Sequence, residues 1–350
     1  MSILQHLGVT IPIVQAPMAG VSTPSLAAAV SNAGGLGSIG IGASGVTDAR
    51  AMINAVRVQT SRAFNVNLFV HVPPKSDSES EARWLEALEP VFRRYDAAPP
   101  ASLRTIYTSF ADDDAVLTML LETGPPVVSF HFGVPPADRI AALKAAGCVL
   151  LATATSLAEA RRIEIAGIDM VVAQGWEAGG HRGVFDPDGP DDGLTTLALT
   201  RLLVKRMGIP VIAAGGIMDG AGVRAALSLG AAAVQLGTAF IACPESSADE
   251  AYRAALAGDG AEHTVMTSAI SGRPARCIAN LFTAWDRSTS IRPPDYPIAY
   301  DAGKALNTAA KARQEGGFGA QWAGQGAPLH RVMPAAALTQ VLWQEASETG

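Results

Sequence analysis

The 350-residue sequence is poor in charged residues and in cysteine. Only 17% of the residues are charged, with 26 basic against 32 acidic residues and no block of like charges, so a basic surface for nucleic acid is not expected. The three cysteines, Cys148, Cys243 and Cys277, are widely spaced and odd in number. They predict neither a disulfide framework nor a metal cluster, and they suit a reducing cytoplasm.

Segments for membrane insertion or secretion are not found either. Gly and Pro interrupt each apolar stretch before it reaches about 18 residues, the length that a membrane-spanning helix needs. The N-terminal sequence MSILQHLGVTIPIVQAPM has neither the basic region nor the long apolar region of a signal peptide. We therefore expect a cytoplasmic protein without a membrane partner.

Two common kinds of hydrolytic site have no motif in the sequence. There is no H-E-x-x-H, there are no paired cysteines, and there is no G-x-S-x-G elbow for a nucleophilic serine. These absences argue against a metal-dependent hydrolase and a serine hydrolase, and we predict no metal site.

What the chain does contain is an alternation of short β-like runs and Ala-rich helical stretches. Several runs are continuously apolar, as in strands that are buried on both faces. Five helical stretches are followed by Gly, which favours the left-handed residue at a helix C-terminus. This alternation predicts a parallel α/β fold. The eight predicted strands are 11–15, 36–39, 64–69, 127–130, 149–153, 170–174, 211–214 and 233–236.

Eight strands with crossover helices fit either a closed (β/α)8 TIM barrel or an open sheet. The G-x-G-x-x-G match at residues 35–40 brackets the second strand instead of following the first, so we favour the barrel. A barrel needs about 250 residues, and we assign it to residues 1–71 and 124–243. Residues 72–123 and 244–332 are expected to form a smaller substrate or lid domain, and a helix near 333–346 to pack back on the barrel.

Reactive groups of such barrels lie at the carboxyl ends of the strands, and a phosphate is often bound after strands seven and eight. Those two ends read AAGGIMDG and QLGTAF, with Gly215, Gly216 and Gly237 beside Thr238. Glycines let backbone N–H groups approach a phosphate closely, and a threonine adds a hydroxyl. We therefore predict a phosphate site here.

Amide side chains end three other strands. Asn67, Gln174 and Gln235 each donate and accept hydrogen bonds, so together they suit a flat heterocycle with mixed edges. Pro17 and Met18 would add backbone contacts and an apolar wall. Flavin mononucleotide (FMN) has one phosphate and such a ring, so it meets all of these demands.

Two histidines also end strands. His181 follows the sixth strand in a glycine-rich loop that is poorly suited to core packing, so we predict that it takes a proton at neutral pH. His131 ends the fourth strand between two phenylalanines and fits a structural and a substrate-contacting role equally. His71, which precedes a proline-rich segment, is expected to be structural or to lie on the surface. Arg182 could bind an anion or face solvent.

Six segments in this order resemble class I of the nitronate monooxygenase family: QAPMAGVSTPSLAAAVSNAGGLGSIG, FNVNLF, FHFGVP, QGWEAGGHRG, VIAAGGI and QLGTAF. The resemblance extends to the WAGQGA segment. It implies an FMN-bearing barrel that oxidises alkyl nitronates, such as propionate 3-nitronate, with dioxygen to a carbonyl compound and nitrite or nitrate, in a detoxifying role.

The resemblance also implies a site, residue by residue. His181 would be catalytic, and His131, Tyr107, Tyr300 and Lys304 would contact the substrate. The residues implied to hold FMN are Ala16, Pro17, Met18, Asn67, Gln174, Gly179, Gly180, Gly215, Gly216, Gln235, Gly237 and Thr238.

Two other functions stay open at this point. A related FMN barrel could reduce a quinone or an enoyl thioester with NAD(P)H, and the amide-rich strand ends are compatible with that reaction. A flavin-binding protein without turnover is the second alternative, against which the two strand-end histidines argue. The expected partners are a small nitronate and dioxygen, while the oligomeric state is left open.

Overall fold

The computed structural model describes residues 2–348 and contains two β-sheets. All eight predicted strands are present, with small shifts at their ends, and three further short strands occur. The strands are β1 Ile13–Gln15, β2 Gly37–Gly40, β3 Phe64–Phe69, β4 Val127–His131, β5 Val149–Ala154, β6 Met170–Gln174, β7 Gly180–His181, β8 Val211–Ala214, β9 Ala233–Leu236, β10 Thr264–Thr267 and β11 Ala275–Ile278.

The larger sheet has the strand order β1-β9-β8-β6-β5-β4-β3-β2, and each pair of neighbours is parallel. Backbone hydrogen bonds of 2.9 Å run from Gln15 N to Leu36 O and from Leu36 N to Ile13 O, and they join β1 to the start of β2. The prediction of a (β/α)8 TIM barrel is confirmed. Closure brings the carboxyl ends of all eight strands to one mouth.

Helices surround the barrel and extend beyond it. The five predicted helical stretches form α2, α6, α7, α8 and α9. The helices are α1 Ile3–His6, α2 Pro24–Asn32, α3 Val46–Gln59, α4 Ser78–Arg93, α5 Asp114–Thr123, α6 Ala137–Ala145, α7 Leu157–Ile165, α8 Thr196–Arg206, α9 Gly220–Ser228, α10 Thr238–Ile241, α11 Glu250–Ala257, α12 Leu281–Asp286, α13 Ile298–Lys311 and α14 Ala335–Ser347.

Local sequence explains where several helices begin. Thr23 accepts a hydrogen bond from Leu26 N, and Pro24 occupies the first turn of α2, where its missing N–H costs nothing. Ser156 and Asp219 accept the equivalent bonds at the starts of α7 and α9. These caps fix the residues at which α2, α7 and α9 begin.

The first of the two segments predicted as a lid, residues 72–123, packs in two different places. Helix α5 buries Val116 and Met119 in the cluster around the barrel, as a crossover helix between β3 and β4 does. Helix α4 buries Trp84 instead beside Phe282 of α12 and Leu306 of α13. The division into two domains stays a prediction.

The smaller sheet connects the C-terminal region to the barrel mouth. Strand β11 pairs antiparallel with β10 and with β7, where Ala275 lies opposite His181. Helix α14 packs Leu338 and Leu342 against the outside of α2 and α9. Within residues 2–348, none of the helices has the combined length and apolar character of a membrane span.

Candidate active site

A cavity of about 640 Å³ opens at the carboxyl ends of the barrel strands. This volume is ordinary for a site that binds a small molecule or cofactor. The structure places every residue predicted for cofactor, substrate or catalysis along its wall, while their individual roles stay predictions. These residues are Ala16, Pro17, Met18, Asn67, Tyr107, His131, Gln174, Gly179, Gly180, His181, Gly215, Gly216, Gln235, Gly237, Thr238, Tyr300 and Lys304.

The turn after β1 is fixed by a buried glutamine and a buried serine. Gln15 accepts a hydrogen bond from Ser38 N at 2.8 Å and donates one to Ser22 Oγ at 2.8 Å. Ser22 Oγ in turn accepts from Met18 N at 2.9 Å. Because these bonds hold the backbone between strand and helix, residues 16–18 form a rigid part of the cavity wall.

Backbone groups dominate the part of the wall after β8 and β9. Gly215 and Gly216 have φ angles of 124° and 68°, in the left-handed region that favours glycine. Within residues 2–348, the N–H groups of Gly216 and Gly237 have no protein acceptor. Thr238 Oγ1 accepts from Gly324 N at 3.0 Å, which leaves its own proton to donate. The wall here offers hydrogen-bond donors and no negative charge, as an anion requires.

The three amide side chains differ in which hydrogen-bonding groups they leave free for a ligand. Asn67 uses its Nδ2 on Ser129, at 2.9 Å from the hydroxyl, so its carbonyl oxygen stays available. Gln235 makes no side-chain hydrogen bond to any described residue. Gln174 is already engaged, since its Nε2 donates to His181 O at 3.0 Å and its Oε1 accepts from Gly183 N at 2.7 Å. Its amide therefore holds the His181 loop in addition to facing the cavity.

Both cavity histidines have one ring nitrogen fixed by the protein. His131 Nε2 lies 3.1 Å from His181 O, and because a carbonyl only accepts, this nitrogen carries the proton. His181 Nε2 lies 2.9 Å from Ser271 Oγ. Neither Nδ1 atom has a hydrogen-bond partner among the described residues, and neither is sealed from solvent. The Nδ1 atoms are thus the nitrogens that remain for a ligand.

Both imidazoles are held in the neutral form. Burial lowers the pKa of His181 to about 3, with further lowering from His131 and the Arg273 guanidinium. Burial likewise lowers the pKa of His131 to about 4, against a raising effect of its bond to His181 O. Arg273 is 3% exposed and lies 4.2 Å from the centre of the Phe132 ring, which in turn is 4.5 Å from the ring centre of His131 and 5.6 Å from that of His181. A neutral imidazole with a free lone pair can accept a proton.

His71 and Arg182 have structural surroundings. His71 is buried outside the cavity wall, and its Nδ1 is sealed without a partner. Arg182 neither binds an anion from solution nor faces solvent. It is 2% exposed and forms a paired contact with Asp191, at 2.7 Å from Nε and 3.0 Å from Nη2, and it also donates to Gln174 O. This pair fixes the loop that follows β6.

Side chains from outside the barrel complete the opposite wall. Lys304 of α13 places its ammonium 4.8 Å from the Tyr107 ring centre and 5.2 Å from that of Tyr300. Tyr107 comes from a segment without regular structure, which Arg104 ties to α13 through a paired contact with Asp301. Among the described residues of the cavity wall, Lys304 carries the only formal charge. The cavity therefore favours an anionic ligand.

Sequence reasoning missed several residues of this wall. Tyr296 and Trp322 line the cavity, with ring centres 5.4 Å and 5.1 Å from that of His181. Ser271 does not line the cavity but lies within hydrogen-bonding distance of His181. Gly324 touches Gly179 so closely that a Cβ on Gly179 would lie 2.4 Å from its nitrogen. Trp322 and Gly324 belong to the WAGQGA segment, which was noticed but given no role, while no local signal marked Ser271.

The cavity has no carboxylate on its wall, and no group of three or more His, Cys, Asp or Glu side chains that could hold a metal occurs in the described part of the chain. The hydrogen-bond donors and amides above suit an organic cofactor.

A sequence model of the nitronate monooxygenase family matches residues 2–345. The chain belongs to the nitronate monooxygenase family. This confirms the resemblance and the prediction of an oxidoreductase. Nitronate monooxygenases are flavin-dependent enzymes in general.

Relatives match over nearly their full length. The nitronate monooxygenase of Paraburkholderia phytofirmans is 59% identical and aligns over 99% of this chain and 95% of its own. That of Pseudomonas aeruginosa is 56% identical over 97% of each chain. Among solved structures, nitroalkane oxidase from Streptomyces ansochromogenes superposes with a TM-score of 0.89, at 39% identity and over 98% of each chain.

Proposed function

We propose that this protein oxidises alkyl nitronates, including propionate 3-nitronate, with dioxygen to a carbonyl compound and nitrite or nitrate, using FMN. Family membership over residues 2–345 and identities of 56–59% to nitronate monooxygenases support the reaction. The observation that carries the proposal at the level of the site is that all residues implied by the family resemblance line one cavity.

The residues after β8 and β9 fit the phosphate of FMN. The unpaired N–H groups of Gly216 and Gly237 and the free proton of Thr238 are donors, as a phosphate demands. These residues would hold the phosphate without a cationic side chain.

The amides and the β1 turn fit the ring of FMN. The free carbonyl of Asn67 would accept from a ring N–H, and Gln235 would donate or accept at another edge. The fixed backbone of residues 16–18, with Met18 facing the cavity, would supply the apolar contact. When bound, FMN would supply the electron transfer between the nitronate and dioxygen.

The chain's own side chains would handle charge and protons. Lys304 attracts the anionic nitronate and, in propionate 3-nitronate, offers an ammonium to the carboxylate. With a neutral nitroalkane, His181 would first remove the α-proton. The imidazolium that results then faces the nitronate anion, and this attraction opposes the low pKa that burial gives to His181.

Purification and oxygen consumption test this proposal. We expect a yellow protein that releases FMN, identified chromatographically against FAD and riboflavin, and that consumes dioxygen when propionate 3-nitronate is added. A colourless protein that does not take up FMN, or a flavoprotein inert towards nitronates, would overturn it.

The reductase alternative is not favoured by the comparisons, and it gives a different result in one experiment. On anaerobic mixing with NADH or NADPH, the flavin absorbance of this protein should persist, whereas anaerobic mixing with a nitronate should bleach it.

We also propose that the protein is cytoplasmic. Its three buried and unpaired thiols support this location.

A further inference from the structure

Ser271 lies within hydrogen-bonding distance of one ring nitrogen of His181. Its hydroxyl is fully buried, 2.9 Å from His181 Nε2 and 3.2 Å from Arg273 O. A hydroxyl has one proton, and the carbonyl of Arg273 can only accept, so the Ser271 proton points to that carbonyl. With both hydrogen bonds made, the serine oxygen accepts from His181, which places the imidazole proton on Nε2.

The segment that carries Ser271 has little freedom to move. Gly272 has a φ of 89°, and a Cβ there would lie 2.4 Å from Pro294 O. On the far side, Arg182 N donates to Pro274 O at 2.8 Å, next to the pairing of Ala275 with His181. The serine and the histidine are thus fixed to each other through the backbone of the smaller sheet.

We propose that Ser271 is a positioning residue that keeps neutral His181 in the Nε2–H form and so makes Nδ1 the atom that accepts the substrate proton. The step moves the α-proton of a neutral nitroalkane to Nδ1, while the electron pair of the C–H bond forms the C=N bond of the nitronate. No oxidant takes part in this step. The inference rests on the proposed function, because it concerns how that site handles a neutral substrate.

Two variants test the inference: Ser271→Ala removes the hydroxyl, and Ser271→Cys keeps nearly its size but accepts hydrogen bonds poorly. For both, kcat for nitroethane should fall roughly 10- to 100-fold, part of the 10²- to 10⁴-fold that a general base contributes. The KM for nitroethane and the kcat for preformed ethyl nitronate should stay within about threefold, because the nitronate has no proton to lose. Ser31→Ala, which removes a buried hydroxyl in α2 far from the cavity, is the matched control.

Nitrogen NMR of protein labelled with ¹⁵N-histidine supplies a readout that does not depend on turnover. The wild type should show His181, assigned with His181→Asn, as a single neutral form protonated at Nε2. Either Ser271 variant should show a mixture of the two neutral forms. This measurement stands even if the protein does not oxidise nitronates.

The outcomes separate the two claims. A wild type that is inert towards ethyl nitronate contradicts the proposed function, and the NMR result then decides the role of Ser271 alone. A wild type that turns over ethyl nitronate, with Ser271 variants that lose both substrates equally or lose neither, overturns the inference. An Nδ1–H form in the wild type overturns it as well.

Discussion

Two halves of the cavity wall differ in the chemical groups that form them. After β8 and β9 the wall consists of backbone N–H groups, exposed by glycines and supported by the strands themselves. Around His131 and His181 it consists of buried side chains, whose neighbours come from segments far away in the chain. A substitution should impair the first half mainly by adding atoms. It should impair the second half by removing one group or by changing its charge.

Replacing His181 tests the side-chain half most severely. His181→Asn removes the free Nδ1 lone pair, so kcat/KM for nitroethane should fall by about 10²- to 10⁴-fold, whereas kcat/KM for ethyl nitronate should fall less than about tenfold. Oxygen consumption measures both, with His263→Asn on the surface as the control. Equal losses on the two substrates would show that His181 is not the base.

Acidification tests the buried histidines, two in this half of the wall and His71 outside it, through protein stability. The pKa of His71, His131 and His181 is lowered in the folded state to about 4, about 4 and about 3, mainly by burial. Between about pH 6.5 and pH 4 the unfolded chain therefore binds more protons, and the free energy of unfolding should fall as the pH falls.

One histidine lies outside the cavity wall and isolates this effect. By pH 4, each buried histidine should lower the free energy of unfolding by up to about 3 kcal/mol. Urea titrations between pH 7.5 and 4.5 should show a shallower dependence for His71→Gln than for the wild type, while exposed His6→Gln leaves it unchanged. A dependence that does not change in His71→Gln would contradict the assigned cause.

Adding one methyl group tests the backbone half. In Gly216→Ala the new Cβ would lie 3.1 Å from Glu177 Cβ at a φ of 68°, so the loop must shift its N–H groups. We expect the dissociation constant of FMN to rise about tenfold, or about 1.4 kcal/mol. Fluorescence titration of the apoprotein measures this constant.

Gly167→Ala is the matched control for that variant. It carries the same left-handed backbone, with a φ of 81°, but a Cβ there meets nothing within 4 Å, and it lies at the end of α7 away from the cavity wall. Both variants should lose about 1 kcal/mol of stability. If Gly167→Ala weakens FMN binding as much as Gly216→Ala does, the glycine wall is not a phosphate site.

The smallest effect is expected at Lys304, which keeps contact with solvent. Lys304→Met removes the one formal charge on the described cavity wall. The KM for propionate 3-nitronate should rise about three- to tenfold, and the KM for neutral nitroethane should not change, as expected for a solvent-accessible charge. Similar changes in the two KM values would mean that Lys304 acts by packing against Tyr107 and Tyr300.

The difference between the halves also decides what sequence could predict. Gly215, Gly216 and Thr238 could be predicted from the residues alone because each lies within two residues of the end of a strand whose apolar run is visible. Ser271 does not follow a barrel strand in this way. It reaches His181 only because β11 pairs with a two-residue strand about 95 positions earlier, and a strand that short has no periodicity to detect. Tyr300 and Lys304 came from the family resemblance, since their distance from the barrel strands gave no other signal.

The ammonium of Lys304 has a consequence for the end of the reaction. The carbonyl product of a simple alkyl nitronate such as ethyl nitronate would leave the cavity without charge, whereas nitrite would leave as an anion past the Lys304 ammonium. Release of the inorganic product should therefore be slower than release of the organic one, and accumulating nitrite should inhibit the enzyme in competition with its substrate.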